Sequence, residues 1–376
     1  MSRTDAPVAA GPGDAGGGFQ IPSLDGIRAA SFMVVFLSHA GLGGIVPGYF
    51  GLTLFFFLSG YLITTLMRIE FDRTGTVSLR QFYLRRVLRI FPPFYLVLVA
   101  AWLATAWGAL PDGTLSAKAM LWQALHLTNY YIVEHGWWQG IAPGTWGYWS
   151  LAVEEHFYVV FPLLYLGLRR RFPSARGQAL GLLALCALVF LWRCVLILAW
   201  DAPKDRTYVA SDTRVDSILF GCLLAVWHNP VLDRHAFDTR RLARLWLPAG
   251  VALLVVSIVV REHAFDQTLR YTLQGIGLYP FFAAAILFHD RWPFRVFSFG
   301  PVRYVGLLSY SLYLLHTSVL YGVDHWLKAW PTAARGTFAL ALLIGLATLI
   351  YRWVELPCGR ARKRLSKYLQ APVAAT

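Results

Sequence analysis

Long apolar stretches separated by short polar connections make up most of this chain. A helix needs about 20 mainly apolar residues to cross a hydrocarbon layer about 30 Å thick. Ten stretches approach or reach this length, so the pattern predicts an all-α, polytopic integral membrane protein with about ten transmembrane helices. The predicted crossings are 24–42, 50–67, 92–110, 146–168, 178–200, 214–228, 245–260, 271–289, 306–322 and 336–354.

An eleventh apolar stretch, 119–134, is shorter and more polar, and the distribution of Lys and Arg decides its interpretation. With ten helices and a cytoplasmic N-terminus, the cytoplasmic loops and tails hold 23 Lys and Arg, whereas the opposite loops hold 7. Counting 119–134 as a crossing would invert every later loop and contradict the positive-inside preference. We therefore predict cytoplasmic N- and C-termini, and one outer loop, 111–145, whose apolar part is re-entrant or lies along the surface.

The overall composition supports assignment to the membrane proteins and argues against a nucleic-acid partner. The chain has 376 residues, of which 57% are hydrophobic and 14% charged, and it contains 15 Trp. The formal net charge is +14, but the basic residues fall in short tracts between apolar stretches, which is typical of membrane orientation and not of a nucleic-acid partner. The four cysteines lie in or beside apolar stretches without CxxC or Cys/His spacing, which predicts free thiols and no metal site.

The polar ends of the chain suggest three regions. Residues 1–22 are rich in Gly, Ala and Pro without an apolar core, which predicts a disordered cytoplasmic tail and not a signal peptide. Residues 23–355 would form the membrane domain, and 356–376 a basic cytoplasmic tail.

The first predicted helix carries an arginine and a histidine inside an apolar segment, LDGIRAASFMVVFLSHAG over 24–41. Arg28 and His39 are separated by three helical turns plus about 20°, so they share one face about 16 Å apart along the axis. A charged side chain in hydrocarbon costs at least about 3 kcal/mol unless it faces the bundle interior, so the pair indicates a polar path through the protein. The alternative is that Arg28 snorkels to the cytoplasmic headgroups and His39 caps the far end.

The predicted helix 146–168 carries two adjacent glutamates. Ser150, Glu154 and Tyr158 lie on one face at i, i+4 and i+8, which makes Glu154 a candidate for proton transfer. Glu155 points about 100° away. For Glu155 we expect a structural ion pair with Arg193 of the next helix, at similar depth.

Two later helices add polar groups to the same outer half of the membrane. The helix 214–228 opens with Arg214, and the helix 306–322 places Tyr313 and His316 on one stripe. Together with His39, such a cluster could move a proton, which acid/base catalysis at a hydroxyl requires.

Arginines precede the third predicted helix on the cytoplasmic side, in RQFYLRRVLRIFPPFY. If this segment is helical, Arg86 and Arg89 share a face, with Arg85 beside them, and such a fork suits phosphate groups. Taken alone, the tract is also a common orientation signal at a membrane surface. Because Arg28 lies on the same side, a phosphate-bearing donor held there could reach His39 with an arm as long as an extended pantetheine.

These segments together resemble the acyltransferase-3 family of integral membrane proteins, which move acyl groups, commonly acetyl, onto sugars, polysaccharides, lipids and some antibiotics. The resemblance covers residues 23 to about 352. It rests on the Arg-x10-His pattern of the first helix, FFFLSGYLIT (55–64), RRVLRIFPPFY (85–95), WSLAVEEHFY (149–158), RVDSILFG (214–221) and SYSLYLLH (309–316). His156 and Ser318 depart from the family pattern, where glutamine and proline are frequent.

The resemblance implies a bacterial inner-membrane O-acyltransferase that uses cytoplasmic acyl-CoA, with acetyl-CoA as the expected donor, and a carbohydrate or glycoconjugate hydroxyl as acceptor. Arg28 and His39 match the family's essential pair, Arg86 and Arg89 its donor-binding arginines, and Glu154 its WSLxxE glutamate. We expect His39 to act as general base, with Glu154 orienting it or transferring the proton, and a covalent acyl-histidine stays open as a second route. The expected acceptor-binding residues are Arg214, Tyr313, His316 and Ser150.

A transporter is the alternative class. Intramembrane His, Glu and Arg also serve proton relays, so a proton-coupled transporter or a lipid-linked sugar flippase would carry similar residues. Such proteins often contain an internal repeat, and none is evident in this sequence. Four tryptophans near the outer loop could stack on sugar rings or form an interfacial belt: Trp137, Trp138, Trp146 and Trp149.

Overall fold

The apolar stretches fold as helices, and the computed structural model describes residues 21–111 and 113–370, with side chains up to residue 365. Within these residues all regular structure is helical. Most of the predicted tail 1–22 lies outside the described residues, and Pro22 already begins the first helix. In chain order the α-helices are α1 (Pro22–Leu37), α2 (Gly48–Thr74), α3 (Leu79–Ala106), α4 (Ala117–Ala124), α5 (Thr128–His135), α6 (Trp149–Arg171), α7 (Ala175–Cys194), α8 (Lys204–Val209), α9 (Ser211–Arg214), α10 (Asp216–Val226), α11 (Thr239–Arg241), α12 (Leu247–Val259), α13 (His263–Gln267), α14 (Leu269–Leu287), α15 (Gly300–Trp326), α16 (Thr332–Ile350) and α17 (Leu356–Gln370). Single π-helical turns span Ser38–Leu42, Val195–Ala199, Leu242–Trp246 and Tyr351–Glu355, and 3-10 turns span Thr145–Tyr148, Arg234–Ala236 and Phe294–Ser298.

Six helical segments in the described part of the chain are long and apolar enough to cross a membrane. The four other predicted crossings correspond to α1 with its π turn, α10, α14 and α15, which are shorter or more polar. The six segments are Gly48–Thr74, Leu79–Ala106, Thr145–Arg171, Ala175–Ala199, Thr239–Val259 and Thr332–Leu365.

The ambiguous stretch 119–134 forms two short helices and not one crossing. Helices α4 and α5 have eight residues each, which is about 12 Å per helix and far less than a bilayer. The break contains His126, whose φ of 56° is incompatible with a continuous α-helix. The stretch therefore does not form one continuous helix long enough to cross a membrane.

Helix α3 begins 13 residues before the predicted start of the crossing at 92. Apolar length predicts a crossing that starts at Pro92, with the arginine tract in the loop before it. In the structure α3 begins at Leu79, where the Ser78 side chain accepts a hydrogen bond from the Gln81 N–H, and continues through Pro92 and Pro93. The arginine tract therefore lies on the first turns of α3 and not in a loop.

Close helix packing at small residues holds the centre of the bundle together. A Cβ on Gly60 of α2 would lie 2.0 Å from the Ile218 carbonyl oxygen, and one on Gly221 of α10 would lie 1.9 Å from the Phe57 carbonyl oxygen. Only glycine allows the two backbones to approach this closely at their crossing. The large core surrounds this crossing, and a second apolar core joins α1, α15 and α16.

The last predicted crossing continues into the predicted basic tail without a break in helical structure. Helix α16, the π turn Tyr351–Glu355 and α17 follow one another directly, and α17 packs against α3. The segment predicted as a tail over 356–376 is therefore helical as far as Gln370, and residues 371–376 lie outside the described part.

Candidate active site

His39 lies on a π turn at the end of α1. The α-helical part ends at Leu37, and the wider turn Ser38–Leu42 carries the histidine. This turn closes at Gly41, whose φ of 100° is accessible to glycine at little cost. Such π turns are frequent at functional sites because they redirect a side chain relative to the regular helix. His39 is exposed at this point, whereas most of α1 before it is buried or half-buried.

The direct polar partner of His39 is His316 of α15. The His39 Nδ1 and His316 Nε2 atoms are 3.1 Å apart, and the two rings stack with centroids 5.2 Å apart. His316 has no exposed surface, and its Nδ1 atom lies 2.6 Å from the Tyr313 carbonyl oxygen. The two predicted histidines thus form one hydrogen-bonded pair, which we call the imidazole pair.

The hydrogen bonds of the imidazole pair define which nitrogens carry protons when both rings are neutral. A carbonyl oxygen only accepts, so His316 Nδ1 must donate to Tyr313. His316 Nε2 is then an acceptor, and His39 Nδ1 must donate to it. His39 Nε2 is left with its lone pair available, which is the state a general base requires.

Tyr313 and Ser150, two further predicted site residues, are in contact with each other next to this pair. The Tyr313 hydroxyl and Ser150 Oγ are 2.6 Å apart, so one donates to the other, and both oxygens lie within hydrogen-bond distance of the Gly147 carbonyl oxygen, at 3.1 and 3.2 Å. The Tyr313 and His316 rings are 5.1 Å apart. The start of α6 is therefore tied to α15 beside the imidazole pair.

Glu154 lies one turn further along α6, towards the arginines and not against His39. Its carboxylate accepts a hydrogen bond of 2.5 Å from Ser59 Oγ of α2, and the same hydroxyl lies 3.1 Å from that of Tyr158. Ser59 is not among the residues that the sequence predicts for the site. A lone serine within the apolar FFFLSGYLIT segment is the available signal, but serine is too common in membrane helices for that signal to be specific.

The three predicted donor-binding arginines lie close together at the other end of α1. Arg89 is a charged neighbour of both Arg28 and Arg86, and all three are charged neighbours of Glu154. Arg28 forms an ion pair of 2.7 Å with Asp25. The guanidinium of Arg86 lies 5.7 Å from the centre of the Tyr158 ring, which joins these arginines to the Ser59 hydrogen-bond network. We call Arg28, Arg86 and Arg89 the arginine cluster.

Arg214, the remaining predicted residue, occupies a separate aromatic cage. Its side chain has no exposed surface, and its guanidinium stacks 3.7 Å from the centre of the Tyr271 ring. All three guanidinium nitrogens lack a hydrogen-bond partner among the described residues. The rings of Phe56, Trp149 and Tyr208 complete the cage at 5.6 to 5.9 Å.

Tryptophans of the segment 137–146 lie beside His39. The Trp146 ring meets the His39 imidazole edge-on at 5.2 Å, and Trp137 and Trp138 flank Trp146 at 6.0 and 5.8 Å. Trp138 is 68% exposed. The exposed imidazole therefore faces an aromatic surface within the protein.

The predicted pairing of Glu155 with Arg193 is wrong. Arg193 is fully buried and forms its ion pair with Asp216 at 2.7 Å, while it also donates to the Thr213 carbonyl oxygen. Helix α7 packs along α10, so Asp216 at the start of α10 lies within reach of Arg193. The positive charge that acts on Glu155 is instead that of Arg86.

Two further predictions concern metals and thiols. The four cysteines are free. Among the described residues, no three His, Cys, Asp or Glu side chains are grouped so that they could hold a metal ion.

The apolar helices and the polar groups enclosed between them define the class: this is an all-helical integral membrane protein with a polar site inside the bundle. The chain belongs to the acyltransferase-3 family, because the family described as "Acyltransferase domain" matches residues 21–352.

Curated relatives carry acetyltransferase names. The chain is 26% identical over 351 residues to the peptidoglycan O-acetyltransferase OatA of Listeria monocytogenes, covering 90% of this chain and 55% of that protein. It is 28% identical over 346 residues to the O-acetyltransferase OatA of Staphylococcus aureus, covering 90% and 57%. The chain thus spans little more than half the length of these relatives. No solved structure matches it significantly.

Proposed function

We propose that this chain is a membrane O-acyltransferase that moves an acyl group from cytoplasmic acyl-CoA to a hydroxyl of a carbohydrate or glycoconjugate. The acceptor is reached from the membrane or from the extracytoplasmic side. One observation carries this proposal: the imidazole pair and the arginine cluster lie at opposite ends of α1, and side chains of α2, α6 and α15 connect them. In order, this polar column contains the pair His39 and His316, the pair Tyr313 and Ser150, and, one turn further along α6, Glu154 with Ser59 and Tyr158, followed by Arg86.

The proposed orientation places the arginine cluster at the cytoplasmic face of a bacterial inner membrane. We propose ten crossings with both termini cytoplasmic, because the basic residues then lie mainly inside. The broken helix at 119–134 supports this count, since an eleventh crossing would reverse the later loops.

The donor in this proposal is acyl-CoA, with acetyl-CoA favoured by the acetyltransferase names of the relatives. Its phosphates would contact the arginine cluster, where planar guanidinium groups provide charge-assisted hydrogen bonds. Arg28 and His39 are about 16 Å apart along the helix axis, so the thioester could lie beside His39 while the phosphates stay with the arginines.

Catalysis in this proposal uses the free lone pair of His39 Nε2. The acceptor oxygen attacks the thioester carbonyl carbon while His39 Nε2 takes the hydroxyl proton. The C–S bond then breaks, and the CoA thiolate takes that proton from the imidazolium. Glu154 lies between the two ends of the column, where its negative charge can stabilise the arginine cluster and assist proton movement. An acyl-His39 intermediate is a second route, in which His39 Nε2 itself attacks the thioester carbonyl carbon, the C–S bond breaks to release CoA, and the acceptor oxygen then attacks the acyl-imidazole.

The acceptor would bind on the outer side of His39. Trp146 and its neighbours offer faces on which sugar rings stack, and Ser150, Tyr313 and His316 lie directly behind them. Arg214 could bind an acceptor oxygen through its unpaired N–H groups, because a buried guanidinium without partners is costly unless a ligand satisfies it.

Acyl transfer by purified protein in proteoliposomes tests the proposal. With labelled acetyl-CoA and candidate glycans, we expect wild-type protein to transfer label, and His39→Ala to lose at least about a hundredfold in rate. His235→Ala is the matched control, because His235 is exposed on the 3-10 turn Arg234–Ala236, outside the column. Undiminished transfer by His39→Ala would remove His39 from the mechanism.

The same purified protein can be used to distinguish an enzyme from the alternative, a transporter or flippase. A donor-using enzyme must bind its donor, so acetyl-CoA should raise the thermal midpoint of the purified protein. Stabilisation by the sugar alone, with no acyl transfer, would favour a transporter or flippase.

A further inference from the structure

Helix α17 brings a further arginine to the arginine cluster from outside the family-matched region 21–352. The helix packs against α3, which carries Arg86 and Arg89. Arg362 is half-buried, as are residues 355, 358 and 359, which lie on the same face at helical spacing. The neighbouring Arg360, Lys363 and Arg364 are exposed.

The approach of α17 is fixed by a hydrogen bond just before the helix. Ser311 Oγ of α15 donates to the Glu355 carboxylate at 2.5 Å, at the end of the π turn Tyr351–Glu355. This turn also packs against α3. The position of Arg362 therefore follows from contacts with two other helices and does not depend on a free tail.

The positive charges around Arg362 are largely without carboxylate partners. Arg85 and Arg89 are charged neighbours of Arg362, and Arg362 is in turn a charged neighbour of Arg86. Arg85 is neutralised by Glu70 at 2.9 Å. Among the described residues, Arg86, Arg89 and Arg362 form no ion pair, and the buried Nε of Arg86 has no hydrogen-bond partner. Three carboxylates lie nearby: Glu154 and Glu355 accept hydrogen bonds from serines, and Glu155 is a charged neighbour of Arg86 without an ion pair among the described residues.

The positive charges of these arginines repel one another because they lack carboxylate partners. A bound polyanion offsets this repulsion because it attracts all of them. We propose that Arg362 completes the phosphate site of the donor, together with Arg86 and Arg89. This inference rests on the proposed function, because it assumes acyl-CoA as the donor. Acyl-CoA carries a pyrophosphate and a 3′-phosphate, whose combined negative charge exceeds the three positive charges of the arginine cluster. Arg362 is a donor-binding residue and not a catalytic one.

Equilibrium binding of labelled acetyl-CoA to the full chain in a neutral detergent tests this site. We expect Arg362→Ala to raise the Kd at least about tenfold, as loss of a charge-assisted contact to phosphate should. Arg362→Lys should raise it several-fold, because the planar fork is lost while the charge stays. Arg364→Ala, exposed on the same helix, should change the Kd less than about twofold. In acyl-transfer assays Arg362→Ala should raise the KM for acetyl-CoA and leave kcat unchanged.

Three outcomes would overturn part of this proposal, and they are distinguishable. If Arg362→Ala and Arg362→Lys bind acetyl-CoA as wild type does, Arg362 is not in the donor site. If those variants instead lose only the thermal stabilisation given by added phosphatidylglycerol, Arg362 binds a lipid headgroup. If wild-type protein itself fails to bind acetyl-CoA, the proposed donor is wrong. Should Arg362→Ala not fold, Arg362→Lys alone decides, because it preserves the charge.

Discussion

At the scale of single residues, the chemistry of His39 depends on one neighbour. The Tyr313 carbonyl determines the proton on His316 Nδ1, and His316 Nε2 in turn determines the proton on His39 Nδ1. These two consecutive hydrogen bonds orient the His39 ring and leave the His39 Nε2 lone pair available. His316 therefore holds His39 in one orientation, as the orienting group of a catalytic pair holds the base.

Replacing His316 should separate this positioning role from simple packing. We expect His316→Ala to lower kcat about a hundredfold, because His39 loses the acceptor for its Nδ1–H. His316→Gln should recover part of the loss, since the amide oxygen can accept the same hydrogen bond. The KM for acetyl-CoA should not change in either variant, because the arginine cluster is untouched. Steady-state kinetics in proteoliposomes measure both values, and equal loss in the two variants would contradict the positioning role.

At the scale of helices, the column depends on close crossings. Ser59 reaches Glu154 from α2, and the next residue, Gly60, lies where α2 crosses α10. Helix α2 cannot move outward without breaking this contact. Packing at the glycines therefore determines where Ser59 sits, although neither glycine is polar or reactive.

Gly221→Ala should destabilise the protein, because the added methyl would overlap the Phe57 carbonyl oxygen. Overpacking of this kind costs about 1 to 3 kcal/mol, and more where backbone must move. We expect a clear fall in the thermal midpoint of the detergent-purified protein and a loss of acyl transfer. Gly345→Ala on α16 is the control, since nothing lies within 4 Å of the position its added methyl would take, and it should leave the midpoint unchanged or slightly raised. Equal midpoints for the two variants would contradict the tight crossing.

At the scale of the whole molecule, the proposed reaction requires two faces with different access. The arginine cluster must meet a cytoplasmic donor, and the tryptophans above His39 must meet an acceptor from the other side. The asymmetric distribution of Lys and Arg supports this orientation.

Cysteine labelling in intact cells tests the orientation. In a variant with the four native cysteines replaced by serine, Trp138→Cys should react with a membrane-impermeant maleimide from outside. His235→Cys should react only after permeabilisation, because the ten-helix arrangement places it in the cytoplasm. Both positions are exposed, so burial does not limit either reaction. Labelling of His235→Cys in intact cells would reverse the proposed topology.

Much of the fold and part of the site follow from local sequence patterns. Apolar length predicts the crossings, and the break at 119–134 agrees with the charge argument. The spacing of Arg86 and Arg89 predicts a shared face once the segment is helical, and α3 confirms that it is. Periodicity alone also places Ser150 and Glu154 on one face of α6.

The partners of those residues follow only from tertiary packing. Helical periodicity gives the direction of a side chain from its own axis, but it does not show which helix lies opposite. For that reason Arg193 pairs with Asp216 and not with Glu155, and Glu154 meets Ser59 and not His39.

The sequence by itself determined the class of protein, because hydrophobic length and charge distribution are local properties of the chain, and the resemblance of its motifs indicated the family and the residue types at the site. The tertiary structure alone decided that two imidazoles share a hydrogen bond and that Arg362 joins the arginines of α3. Those contacts join residues far apart along the chain, and the free energy that brings them together comes from packing of whole helices.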